Sequence, residues 1–98
     1  MIANFDLVSN FVDCNLNGIS NAKMYNASMH FVNRTLYSYD TAIGQYIKKD
    51  GTFIVNMTKY SITTSKHRNY LITALETRKI RYTEVDRVKM GTTKLIKN

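Results

Sequence analysis

The chain predicts an α+β fold: a small antiparallel β-sheet of three to five strands with one helix, about residues 66–77, packed on one face. Three observations lead there. Lys48-Lys49-Asp50-Gly51-Thr52 joins two apolar runs, and Asp-Gly between such runs marks a β-hairpin because glycine accepts positive φ without steric cost. Thr63-Thr64-Ser65 supplies helix caps ahead of Tyr70, Leu71, Ala74 and Leu75, which share a helical stripe. Lys79–Val85 then alternates, with Ile80, Tyr82 and Glu84 opposed to Arg81, Thr83 and Val85. That suits a final strand at a sheet edge, where charge guards against aggregation.

In chain order, Ile2, Phe5, Val8, Phe11 and Val12 fall near one helical face with Asp6 and Asp13 turned outward. Asn4, Asn10, Asn15 and Asn17 weaken a helix, so residues 1–27 read as a short helix or an irregular arm. Asn17-Gly18 is the first turn. Met29–Tyr37 and Ala42–Lys48 are rich in β-branched and aromatic residues and read as strands. A two-residue hairpin turn sets Ile47 opposite Ile54, whereas a three-residue turn with a glycine bulge sets Ile47 opposite Phe53. On the next strand Phe53, Val55 and Met57 share an apolar face. Ile54, Asn56, Thr58, Tyr60 and Ile62 share a mixed one, open to solvent or to a partner. The expected organisation is one domain over 1–98, with a sheet–helix core at 28–85 and a basic tail at 86–98 that frays.

Charge narrows the function classes. Fourteen Lys and Arg against seven Asp and Glu give +7, unevenly spread: residues 1–49 carry four basic and three acidic side chains, residues 50–98 ten and four. A one-sided positive field concentrates polyanions, which puts nucleic acid first among partners, an anionic membrane surface second and an acidic protein third. A basic surface that only keeps a small protein soluble accounts for the same charge. No apolar run approaches the ~18 residues of a membrane span, and the N-terminus lacks the charged and apolar regions of a secretory leader. The setting expected is therefore a reducing cytoplasm, without a membrane partner.

Chemistry is sparse. Cys14 stands alone, so neither an internal disulfide nor a cysteine zinc site forms. His30 and His67 have no metal ligands at useful spacing, the four glycines form no phosphate loop, and no cofactor is expected. The reading is of a non-enzymatic protein. Its densest constellation is Thr58–Tyr70, with Lys59, Lys66, His67 and Arg68 around a helix start whose free N–H groups suit an anion. Lys66 and Arg68 in a first turn oppose the macrodipole unless an anion offsets them. The anion-binding set is Lys59, Ser65, Lys66, His67, Arg68, Arg78, Lys79 and Arg81. A plain capping role for the Thr and Ser residues, with the charges in water, accounts for the same composition. Tyr37, Tyr39, Tyr46 and Tyr60 read as packed strand residues.

Leu36-Tyr37-Ser38-Tyr39-Asp40-Thr41-Ala42-Ile43 and Val55–Asn69 carry a resemblance. The pattern L-Y-S-Y-x-T-x-I-A, a hairpin, then N-x-T-x-Y-S-x-T-T-S-K-H-x-N is similar to that of a family of small uncharacterised proteins from tailed phages and gut viral genomes. It covers residues 36–69, departing at Gly44 and Met57 from the Ala and polar residues of the pattern. The resemblance implies a phage origin and work in the host cytoplasm, not a mechanism. It leads to an accessory protein that binds nucleic acid or a nucleoprotein through its basic C-terminal half. The alternative is an anti-defence inhibitor of the anti-CRISPR type that binds a host effector. A homodimer follows if the final strand pairs across a two-fold axis.

Overall fold

Turn chemistry makes most of this sheet a meander. The computed structural model describes residues 2–95. Its elements are α1 (Asn4–Leu16), β1 (Lys23–Tyr25), β2 (Met29–Val32), β3 (Thr35–Ser38), β4 (Thr41–Ile47), β5 (Thr52–Asn56), α2 (Ile62–Thr77) and β6 (Tyr82–Val85). The strands lie side by side in chain order, β1 to β6. Between β1 and β2 the Asn26 side chain accepts the backbone N–H groups of Ser28 and Met29 at 2.9 and 2.8 Å, closing the turn from within. Two-residue turns follow β2 and β3, led by Asn33 and Tyr39 at φ 55° and 53°.

The sequence expectation needs four corrections. Six strands form rather than three to five, and two helices rather than one. The sheet is mixed: β1 to β5 are antiparallel, but α2 carries the chain back across the sheet and β6 pairs parallel to β5. The central hairpin keeps its place but takes neither expected register. Ile47 opposes Thr52 and Tyr46 opposes Phe53, because Lys48–Gly51 is a four-residue loop closed by the Gly51 N–H on the Ile47 carbonyl at 2.8 Å, with Gly51 at φ 65°. Finally, α2 begins at Ile62, about a turn before the expected Lys66, because Ser61 is the cap that accepts the Thr64 N–H.

The two helices pack on one face of the sheet. From α1, Leu7, Val8, Phe11 and Val12 point inward; Leu7 joins the expected stripe while Phe5 turns out to solvent. They meet Leu71, Ala74 and Leu75 of α2 over Met29, Phe31, Leu36, Phe53 and Val55 of the sheet. Phe11 anchors this layer, edge-to-face against Phe31 and Phe53 at 5.6 and 5.9 Å between ring centres. Gly44 lets the helix approach the sheet, since a Cβ there would run into the Leu71 side chain.

Alternation sends Ala42, Ile54 and Val85 to the opposite face, the one expected to be mixed and open. There the C-terminal segment folds back over them, burying Leu95 and half-burying Val88. Three hydrogen bonds hold it: Val88 N–H to Thr58 Oγ1 at 2.9 Å, the Tyr60 hydroxyl to the Val88 carbonyl, and Leu95 N–H to Gln45 Oε1 at 3.0 Å. The tail thus joins a second, smaller core up to Leu95; the last three residues of the expected basic tail lie outside those described.

Candidate functional site

Sequence grouped eight side chains as one anion site; the fold divides them. Lys59, Ser65 and Lys66 come together with Tyr60, Ile62 and Asn69 around an open hollow of about 540 Å³ beside the start of α2. Lys66 and Arg68 sit beyond the first turn of the longer helix, so the argument that a bound anion must offset the macrodipole no longer applies to them. The first turn itself carries no acidic residue. Ile62, at its first position, is 90% exposed.

The other members go elsewhere. His67 is 2% exposed and turned into the interior, so it does not face the hollow as expected; its neighbours Lys66 and Arg68 lie ~100° round the helix on either side. Arg68 lies half-buried along the helix, with Nη1 donating to the Met57 carbonyl at 3.4 Å and Nε buried without a partner. Arg78 donates through Nε and Nη2 to both carboxylate oxygens of Asp13, at 2.9 and 3.3 Å, and through Nη1 to the Ala74 carbonyl. It clamps α1 to the last turn of α2. Lys79 and Arg81 are exposed just past that turn, at the opposite end of the 16-residue helix, about 24 Å long, from Lys59, with Lys66 about one turn in from the Lys59 end.

His67 belongs to a chain of hydrogen bonds whose direction backbone amides fix. Asn26 Oδ1 accepts two backbone N–H groups, so its Nδ2 must donate, and it does so to Asn4 Oδ1 at 2.7 Å. Asn4 Nδ2 therefore faces His67 Nε2, at 3.4 Å, as a donor. Nε2 must be the bare nitrogen and Nδ1 must carry the proton, which it gives to Ser38 Oγ at 2.7 Å. Ser38 passes its own proton to Thr64 Oγ1 at 3.2 Å, and Thr64 N–H closes on the cap, Ser61 Oγ. Burial lowers the His67 pKa, and the charge of Lys66 lowers it further, both favouring the neutral ring. A serine beside a histidine suggests a nucleophile, but here the histidine donates to the hydroxyl instead of taking its proton.

Beside this chain lies a second hollow, about 240 Å³, walled by Ser38, Tyr39, Thr41, Tyr60, Ser61 and Met90. It shares Tyr60 and Ser61 with the lysine hollow. Met90 is 69% exposed and Tyr39 53%. Tyr39 holds a left-handed backbone conformation that a bulky residue rarely adopts, which turns its ring out beside the hollow.

On the outer face of the sheet, strand register brings Tyr25, His30 and Tyr37 into line across β1, β2 and β3. Their rings are stacked, at 5.2 and 4.6 Å between centres and within 11° of parallel. Burial lowers the His30 pKa against the opposing influence of Asp40, and burial raises that of Tyr37, so for both rings burial favours the uncharged form. Sequence reasoning missed this feature. Tyr37 was assigned to packing, and the alignment of the three residues exists only once the register is known.

Among the described residues, the Arg78–Asp13 pair is the one salt bridge, so the remaining described cations have no carboxylate partner. Those residues contain no cluster of three or more metal-ligating side chains, and no helix is long and apolar enough to cross a membrane. A family model described as a family of unknown function matches residues 9–87. No curated protein and no solved structure matches the chain.

Proposed function

From the premise that the chain belongs to DUF8033, a family of unknown function, we propose that it is a binding protein, not a catalyst, and that its basic surface takes nucleic acid or a nucleoprotein. The observation that carries this is the lack of internal neutralisation: a net charge of +7 with Arg78 alone paired among the described residues. Such a surface gains free energy by releasing the counterions of a polyanion. Lys59 and Lys66 supply phosphate contacts, with Ser65 and Asn69 as neighbouring hydrogen-bonding groups in the same hollow. Lys79, Arg81 and Arg68 extend the charge, and Arg78 serves the α1–α2 clamp. The direction of the Ser38–His67 hydrogen bond supports binding over nucleophilic catalysis. We further propose a phage accessory protein acting in the host cytoplasm, on the strength of the Leu36–Asn69 pattern.

Exposed Ile62 and Met90 favour a second reading, since nucleic acid rewards an aliphatic side chain poorly and a protein partner rewards it well. In that reading the protein is an anti-defence inhibitor seated on the acidic or RNA-binding surface of a host effector.

Salt separates the two. Binding to an oligonucleotide through six phosphate contacts falls about 10³-fold between ~50 and ~200 mM salt. The Lys59→Ala/Lys66→Ala pair should weaken it and lower the log–log salt slope by about 1 to 2, with thermal unfolding unchanged. No binding to single-stranded or duplex oligonucleotides even at ~50 mM salt would refute the first reading. A host complex retained from lysate at fixed stoichiometry after nuclease treatment would favour the second.

A further inference from the structure

We propose that the open end of the Tyr25–His30–Tyr37 stack is a docking place for a nucleobase, which makes single-stranded nucleic acid the preferred partner. This rests on the nucleic-acid reading above and specifies its ligand.

The geometry of the rings carries the inference. Adjacent strands lie about 4.8 Å apart, and the ring centres repeat at a similar spacing with planes nearly parallel. The stack therefore runs across the strands, with ring faces turned toward one another and only ring edges turned outward. His30 lies between the two tyrosine rings with both faces covered, and Tyr37 has one face on His30 and lies inside the sheet on β3. Tyr25 differs because β1 is the edge strand. One of its faces lies on His30; the other looks past the end of the sheet into solvent, and the residue is 58% exposed. A fourth planar ring would continue the series on that outer face. Every base has a π-face, but in a duplex those faces are already covered by neighbouring pairs, so only an unpaired strand can present one.

Chain neighbourhood and shared lining residues connect the inner end of the stack to the lysines. Tyr37 and Tyr39 are two residues apart, and Tyr39 lines the smaller hollow with Tyr60 and Ser61. Those two residues also line the hollow that holds Lys59 and Lys66. A strand anchored by one base at Tyr25 can run past the Tyr39 turn and set its phosphates on the two lysines. Lys23, two residues from Tyr25 and on the same face of β1, is exposed and adds a cation at the anchor itself.

The test uses the full chain with oligothymidylate of ~12 nucleotides, an abasic strand of equal length and a duplex of that length, at low salt. Oligothymidylate should bind about ten-fold tighter than the abasic strand. Tyr25→Ala should remove that difference, Tyr25→Phe should keep it, and the salt slope should be the same in both. The Tyr25 ring protons should move upfield on titration, a readout independent of any effect of the variant on folding. If oligothymidylate and the abasic strand bind equally, or if Tyr25→Ala matches the parent while Lys59→Ala/Lys66→Ala loses affinity, the stack has no part in binding and the phosphate reading stands alone. If none of the three probes binds the parent protein, the nucleic-acid reading itself falls.

Discussion

Replacing His67 by leucine tests the hydrogen-bond chain that joins α1, the β1–β2 turn, the end of β3 and the start of α2. Leucine keeps most of the volume at a site that is 2% exposed, so cavity terms stay small. The ring donates to Ser38 Oγ at 2.7 Å and accepts from Asn4 Nδ2 at 3.4 Å. Losing a short buried bond removes about 1–1.5 kcal/mol, and leaving the Asn4 amide group without an acceptor costs about 1 more, a total near 2–3 kcal/mol. For a domain of this size that lowers Tm by about 10–20 °C. His67→Asn should lose less, since its amide nitrogen can occupy the Nδ1 position and keep the Ser38 bond. A pH effect accompanies this. The folded pKa of His67 lies below the ordinary histidine value of 6.5, so between the two the unfolded chain binds more protons than the folded one. Stability is therefore full above pH 6.5 and drains as pH falls through that interval. His30 is shifted in the same direction and adds to the slope. Urea unfolding between about pH 8 and about pH 5.5, above the range where carboxylates titrate, measures both effects. The parent should weaken toward acid, and His67→Leu should be less stable at neutral pH with a flatter profile. A leucine variant as stable as the parent at neutral pH, with the parent's slope unchanged, would refute the assigned proton positions.

Three further outcomes follow from packing. Gly44→Ala should destabilise by about 1–3 kcal/mol in urea unfolding, because the added methyl meets the Leu71 side chain in the closed layer between α2 and the sheet. Leu95→Ala should cost about 2–3 kcal/mol and increase binding of a hydrophobic dye, since it uncovers Ala42, Ile54 and Val85 on the outer face. Arg78→Ala should cost only about 1 kcal/mol in the same assay, because its pair with Asp13 is partly solvated and the bond to the Ala74 carbonyl is one cap among several.

The legible parts of this fold were those set by local chemistry. Asp50-Gly51 announces a reversal whatever surrounds it, and the Leu71, Ala74 and Leu75 spacing announces a helix. Register was not legible, because Lys48 and Lys49 have no property that tells a strand end from a four-residue loop. The start of α2 was hidden by four hydroxyl residues within five positions, Ser61, Thr63, Thr64 and Ser65, interrupted by Ile62, whose exposure runs against the helix's own apolar stripe. Within the site, sequence adjacency misled. Lys66, His67 and Arg68 look like one basic cluster, yet successive helical positions diverge by ~100°, so the middle residue enters the core while Lys66 stays in water. The aromatic stack was harder still, since Tyr25, His30 and Tyr37 become neighbours only through two turns whose lengths must both be right.

The parallel β5–β6 pair has a consequence for how the chain matures. Strands β2 to β5 each pair with the strand just before them, so the contacts they need are short in sequence and fast to find. β6 must wait for the whole of α2, and the segment that covers Ala42 and Ile54 comes after β6. During synthesis the five-strand meander can therefore pair while its outer apolar surface is still bare and β5 is still a free edge. A ribosome stalled within α2 holds a species able to recruit other strands to both, and that exposure ends only when the segment after β6 arrives.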